Sequence, residues 1–331
     1  MNIALILERA AAAAPDRIGL VCQERSWRYG DLLDAARGAF ELIQESEAEA
    51  VAILDDCSEA SVFALFGAAL AGVPYCPLDS TLADEVLGAE LQRLAPAIVI
   101  GDEERATRIA GTQGHMIFSR EDFSLKAQET VPDDNAREYD PGGGVAIEIF
   151  TRDTRDSPRA EIFRHSQLLD QLAKAASAPR SERSDVILLA VPPHNIVGIL
   201  ALLFAVQECR KAVLLPYIAA EAWFTLVESQ RVSQALVVPA LLACIVEDME
   251  AGVGRDLTTL RAIACAGAEM PLEVMRRALE LFPEADFTSA WGPEGVADTI
   301  TVLAHERPQH ALADVAAILG AQVPPARSID F

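Results

Sequence analysis

The sequence predicts an α/β protein: two parallel-type β-sheets flanked by helices, in a layered αβαβα arrangement. Three observations carry this. Short apolar, strand-like runs alternate with helix-like stretches through most of the chain. The strand runs are continuously apolar, as in strands covered on both faces. The chain has 331 residues, too many for one simple core and suited to about two packed units.

In chain order, MNIALILERAAAAAP reads as a first helix, since it lacks the basic leading region of a signal peptide. AVAIL (Ala50–Leu54) is a buried strand, Glu59–Gly72 a helix ended by Gly72, and VPYCPL (Val73–Leu78) the next strand. Leu82–Leu94 is helical in pattern, and AIVIGD (Ala97–Asp102) is a strand. The polar region from about Glu121 to Gly144 ends in PGGG and reads as a linker. VAIEIF (Val145–Phe150) is a strand.

The second half repeats the rhythm. Strands are expected at Asp185–Pro193, Lys211–Pro216, Ala235–Pro239, Leu260–Gly267 and Asp286–Gly292. Helices are expected at Ile196–Gln207, Ala220–Gln230, Ala240–Met249 and Pro271–Phe282. The expected division is a first sheet subdomain over about 50–180 and a second over 1–49 plus 181–331.

Bulk properties exclude several classes. Hydrophobic residues make up 51% of the chain, so it folds. A net charge of −23 argues against nucleic acid or an anionic membrane as partner. The six cysteines are scattered without a CxxC pair, which fits a reduced, cytoplasmic chain. The longest apolar stretches are too short or too broken by Pro74 and Pro77 to span a bilayer. The five histidines show no metal spacing, and GxxxxGK[ST], HExxH and GxSxG are absent.

Ligands in such folds sit at the carboxyl ends of the strands. That directs attention to four loops: Thr151–Ala160, Pro192–Gly198, Ala264–Pro271 and Ala290–Gly295. In this order, with RSWRYGDLLDAA, GAALAGVPYCPLD, RHSQLL and DLTTLRAIACAGAEMP, they resemble the adenylate-forming (AMP-binding) superfamily. Bacterial fatty-acyl-CoA synthetases look most similar. The resemblance spans nearly the whole chain and implies the N-terminal domain of that fold. The family's ribose-binding Asp and its C-terminal lobe, with the adenylation Lys, would lie beyond Phe331, so that lobe is expected to be absent.

The resemblance also shows departures. The family's phosphate loop reads T-S-G-T-T-G-x-P-K-G, and here it is T-R-D-T-R-D-S-P-R-A. Thr151, Thr154, Pro158 and Arg159 fit, and Ser157 lies between them. Asp153 and Asp156 replace glycines that let backbone N–H groups approach phosphate. A carboxylate roughly 5 Å from one phosphate charge costs about 3 kcal/mol at an effective dielectric of about 20. Arg152, Arg155 and Arg159 are available to offset this.

In VPPHNIVG, Asn195 takes the position of the family's substrate-orienting His, and His194 stands one residue early. The third loop keeps Gly267 but carries Cys265, Ala266 and Ala268. In the fourth, WGPEG, Trp291 takes the adenine-stacking position and is followed by Gly292. Glu294 replaces the phosphate-contacting Thr, and Gly295 the magnesium-binding Glu.

These departures imply a pseudoenzyme, an acyl-CoA-synthetase-like domain acting as a binding or partner subunit with no catalytic residues. Residues 151–159, 194–195, 265–268 and 291–294 would be vestiges of its phosphate loop and nucleotide or acyl pocket. No cofactor or metal is expected. The alternative is an AMP-forming carboxylate–CoA ligase of unusual motif, using ATP and magnesium and completed by a separate C-terminal lobe. Expected partners are a second copy of the chain or an active synthetase-like chain, docked near the apolar stretches Thr299–His305 and Ala311–Pro325. An acyl or other apolar small molecule is the expected ligand.

Overall fold

The computed structural model describes residues 1–111, 114–130, 143–152, 158–176, 185–252, 254–268, 270–291 and 299–303. The described chain divides into two compact units. One comprises Met1–Leu20, Ser26–Leu169 and Pro192–His194, and the other Val21–Arg25, Asp170–Val191 and Asn195–Phe331.

The first unit is organised on a six-stranded sheet. Its strands are β3 (Ala50–Leu54), β4 (Tyr75–Pro77), β5 (Ala97–Gly101), β6 (Met116–Phe118), β7 (Val145–Arg152) and β8 (Pro158–Arg164), ordered β6-β5-β3-β4-β7-β8. All neighbours run parallel except the β7–β8 hairpin. Helices α4 (Asp84–Leu94) and α5 (Glu103–Ala110) pack on one face, where Leu87, Leu91, Ala106 and Ala110 meet Ala52, Leu54, Cys76 and Val99. Helix α3 (Glu59–Ala71) lies against β3 and β4, with α1 (Ala4–Ala13), α2 (Tyr29–Glu45) and α6 (Arg120–Glu129) around it. Helix α3 is buried on every side from Ala60 to Leu70 and stops where Gly72 enters the left-handed region at φ +73.

The second unit holds most of an eight-stranded sheet. Its strands are β1 (Ile18–Cys22), β2 (Arg25–Arg28), β9 (Val186–Ala190), β10 (Lys211–Leu214), β11 (Gln234–Val237), β12 (Ala262–Ala266), β13 (Asp286–Trp291) and β14 (Thr299–Leu303), ordered β14-β13-β12-β11-β9-β10-β1-β2. The run from β13 to β10 is parallel, and β14 closes one edge antiparallel to β13. Helix α7 (His165–Ala176) precedes β9, and α8 (Ile196–Gln207), α9 (Ala220–Gln230), α10 (Pro239–Glu250) and α11 (Leu272–Leu281) follow in turn.

Period-two alternation assigns the faces of this sheet. Leu188, Val213, Val237, Ile263 and Cys265 share a core with Trp223, Phe224, Leu242, Ile245 and Met275 of α9–α11. The alternate residues, Ile187, Leu236, Ala262 and Ala264, face α8.

The two mostly parallel sheets flanked by helices are as expected, each with an antiparallel strand at one edge. One expectation differs from this fold. Part of the expected linker is helical. Ser119 caps α6 by accepting from the Asp122 N–H at 3.0 Å, while Phe123, Ser124 and Ala127 bury one stripe. The apolar TITVL stretch forms β14, whereas Ala311–Pro325 lies outside the described residues.

Candidate functional site

In the eight-stranded sheet the chain leaves β9 through α8 to β10 on one side, then reaches β11 on the other. The carboxyl ends of β9 and β11 therefore flank a topological switch point, where open α/β sheets bind ligands.

Asn195 begins α8. It stands extended at φ −83, ψ 114, and its Oδ1 accepts from the Val197 N–H at 2.9 Å and the Gly198 N–H at 3.4 Å. The amide is thus an N-cap, satisfying donors that the first helical turn leaves open. Across from it, Gly267 has φ +99, and a Cβ there would lie 3.0 Å from Asn195 Nδ2. Gly267 thus meets both needs, the left-handed backbone and the close approach. Ala268 beside it is exposed.

His194 belongs to the other unit, with its Nε2 4.0 Å from Asp79 Oδ2. Burial holds its imidazole below the ordinary value of 6.5, and the Asp79 charge opposes that shift. Asp79 is itself fixed by Thr81, whose N–H and hydroxyl donate to Oδ1 at 3.0 and 2.6 Å.

Cys265 and Ala266 are both buried at the end of β12. Cys265 points into the α9–α11 core, on the face opposite Ala264, and burial pushes its thiol up to about 12. Thr151 stands one residue before the end of β7 and pairs with Arg159 of β8 across the hairpin. Trp291 ends β13, paired with Thr299. Asp153, Thr154, Asp156, Ser157, Gly292, Glu294 and Gly295 lie outside the described residues.

A narrow slot opens beneath α8. Ile187, Val197, Ala201, Leu236, Ala262 and Ala264 line it together with Gln234, and its volume is about 10 Å³, room for one water-sized group. It arises because β12 presents only alanines where β9 and β11 present Ile187 and Leu236.

At the amino ends of the same strands lies a buried polar network. Asp185, 2% exposed, is ion-paired with Arg261 and accepts from Ser233 Oγ at 3.3 Å and, at a long 3.5 Å, from Gln234 Nε2. Sequence reasoning missed these four residues and the slot. The available signal was a polar residue placed directly before or at the start of each apolar run: Asp185 before VILLA, Ser233 and Gln234 before ALVV, and Arg261 before AIACA.

A family model described as AMP-binding enzyme matches residues 7–312. The chain belongs to that family. It is 24% identical over 303 residues to the probable non-canonical nonribosomal peptide synthetase CymA of Salinispora arenicola, covering 88% of this chain and 4% of that one. It is 21% identical over 329 residues to a component of the plipastatin synthase of Bacillus subtilis, covering 97% of this chain and 9% of that one. The chain thus spans a small fraction of these relatives.

Among solved structures, the N-terminal domain of FACL13 from Mycobacterium tuberculosis superposes with a TM-score of 0.79 at 17% identity, covering 91% of this chain and 78% of that one. The VinN complex with L-aspartate gives a TM-score of 0.80 at 18% identity, covering 91% and 79%. These likenesses establish the N-terminal fold of adenylate-forming enzymes.

Proposed function

We propose that this member of the AMP-binding enzyme family does not form acyl-adenylates and serves as a binding subunit for a carboxylic acid with an apolar tail. The observation that carries the reading is the α8 N-terminus. The position that resembles the family's substrate-orienting His holds Asn195, whose side chain is committed to Val197 and Gly198. The neighbouring His194 is turned to Asp79.

The sequence adds to this. Adenylation works by positioning its reactants and neutralising phosphate charge. Asp153, Asp156 and Glu294 bring negative charge to positions that resemble the phosphate contacts. Gly295, at the position resembling the metal carboxylate, has no side-chain oxygen to offer magnesium. The apolar slot beneath α8 supports retention of a place for a ligand tail.

The test is acid-dependent pyrophosphate exchange with ATP over a panel of fatty and aryl acids. The expected result is exchange no higher than a no-protein control. Exchange clearly above it would favour the other reading, an AMP-forming ligase of unusual motif.

A further inference from the structure

Among the described residues the two sheets end in four edge strands: β6 and β8 in the six-stranded sheet, β2 and β14 in the eight-stranded one. An edge strand presents a row of unpaired N–H and C=O groups that another chain can take up. The four edges differ in what they would set opposite one another if two copies of the chain met there.

Three of them are blunted. Strand β6 has only three residues, Met116–Phe118. Strand β2 reads RSWR, with an arginine at each end. Strand β8 reads PRAEIFR, and Pro158 has no N–H to give. Antiparallel self-pairing about the centre of β8 would also set Glu161 against Glu161, and like charges directly opposite are destabilising.

Strand β14 is different. It reads TITVL, five residues without a charge, a glycine or a proline, and it pairs along its whole length with β13. Its other side has no strand beside it among the described residues. A two-fold axis at Thr301 would set Thr301 against Thr301, Ile300 against Val302 and Thr299 against Leu303. Every pair is uncharged, all but Leu303 are β-branched, and a Thr–Thr pair is one of those that stabilise a sheet.

Charge points to the occupant. The chain carries a net charge of −23, so two copies repel over much of their surface. The β14 edge brings no like charges together, and a second copy supplies the same neutral strand.

We propose that β14 is a self-association edge: a second copy of the chain adds its own β14 antiparallel about a two-fold axis at Thr301 and continues the eight-stranded sheet. Main-chain hydrogen bonds supply the attraction, and a symmetric contact of this kind closes at two copies. A five-residue ladder is a small contact, so the dimer is reversible and concentration-dependent. Salt strengthens it by screening the repulsion between two acidic copies. Strands β12 and β13 stand between β14 and β11, so the contact is separate from the β9–β11 crevice.

The experiment is sedimentation equilibrium of the full chain over a concentration series at low and high salt. It is repeated with Thr301→Lys, with Thr301→Asp and with their equimolar mixture, and melting curves check that each variant is folded. The unaltered chain is expected to show a monomer–dimer equilibrium that moves toward dimer as salt rises. Each charged variant alone should weaken dimerisation about tenfold or more, because a like charge then faces itself across the axis, and the mixture should recover it. A general loss of stability would not produce that recovery. A monomer at every concentration would overturn the proposal and leave the edge to another part of the chain. A dimer indifferent to both substitutions would overturn it in favour of a different surface. If the charged variants fail to fold, Thr301→Cys decides. Oxidation should link it into a dimer, and should link Thr299→Cys, which faces Leu303 and not itself, no more than the unaltered chain. Equal linking of the two cysteine variants, or linking of neither, would overturn the pairing.

Discussion

The turns that follow β3 and β9 are built on one plan and stabilised in two different ways. Each strand has five residues, all buried, and each leads through a short turn into a helix that is apolar on nearly every side. After β3 the turn is charged. Asp55, 7% exposed, is ion-paired with Arg120 at 3.3 Å and accepts from Ser58 Oγ at 3.3 Å. After β9 the turn is closed by a neutral amide, the Asn195 cap, two and three residues from the N–H groups it satisfies. The first turn thus depends on a residue 65 positions away in sequence, from Asp55 to Arg120, at the start of α6. The second depends on itself. The cap closes the turn after β9 with a neutral side chain, where the turn after β3 uses a carboxylate.

The contrast can be broken from either side. The largest effect is expected from Arg120→Ala, which leaves Asp55 buried without its cation. Removing one partner of a buried pair costs several kcal/mol, but Arg120 is 38% exposed, so about 2 kcal/mol is expected from urea denaturation at neutral pH. A loss below a few tenths would mean that Ser58 alone holds the turn.

Asn195→Ala should cost about 1 kcal/mol, the ordinary value of an N-cap, and Asn195→Asp should restore it because its oxygen accepts from the same donors. An Ala variant as stable as the unaltered chain would show that the cap contributes nothing.

The smallest effect sharpens the comparison through pH. Burial raises the Asp55 carboxyl above its ordinary 3.8, and Arg120 opposes the shift without cancelling it. The folded state therefore holds this proton more tightly than the unfolded state, and stability falls as pH rises from 3.8 through the folded value. Asp55→Asn lacks the titration. Its stability relative to the unaltered chain should rise between acid and neutral pH. A difference that is flat with pH, or opposite in sign, would contradict the assignment.

Much of this was legible in the sequence, and the exceptions have physical causes. Helices α8 and α9 fall at the expected residues, α8 because its apolar run is long and Asn195 marks its start, α9 because Ala220, Trp223, Phe224 and Val227 recur at helical spacing. Helix α6 was not legible, since only Phe123, Ser124 and Ala127 are buried along it and the rest reads as linker.

At the site, Asn195 drew attention as a substitution, and its capping role could have been read from a polar residue before an apolar helical run. The Asp185 network was legible only as polar residues at the starts of apolar runs, not as a network. Its bonds join residues 48, 49 and 76 apart, and no local pattern brings Ser233, Gln234 and Arg261 to one carboxylate.

On the proposed reading this family member has lost nucleotide chemistry while keeping the fold. Calorimetric titration of the full chain with Mg-ATP tests it most directly, beside a variant carrying Asp153→Gly, Asp156→Gly and Glu294→Thr. The expected result is no saturable heat from the unaltered chain and measurable binding once the three carboxylates near the phosphate position are gone. Saturable, micromolar Mg-ATP binding by the unaltered chain would contradict it.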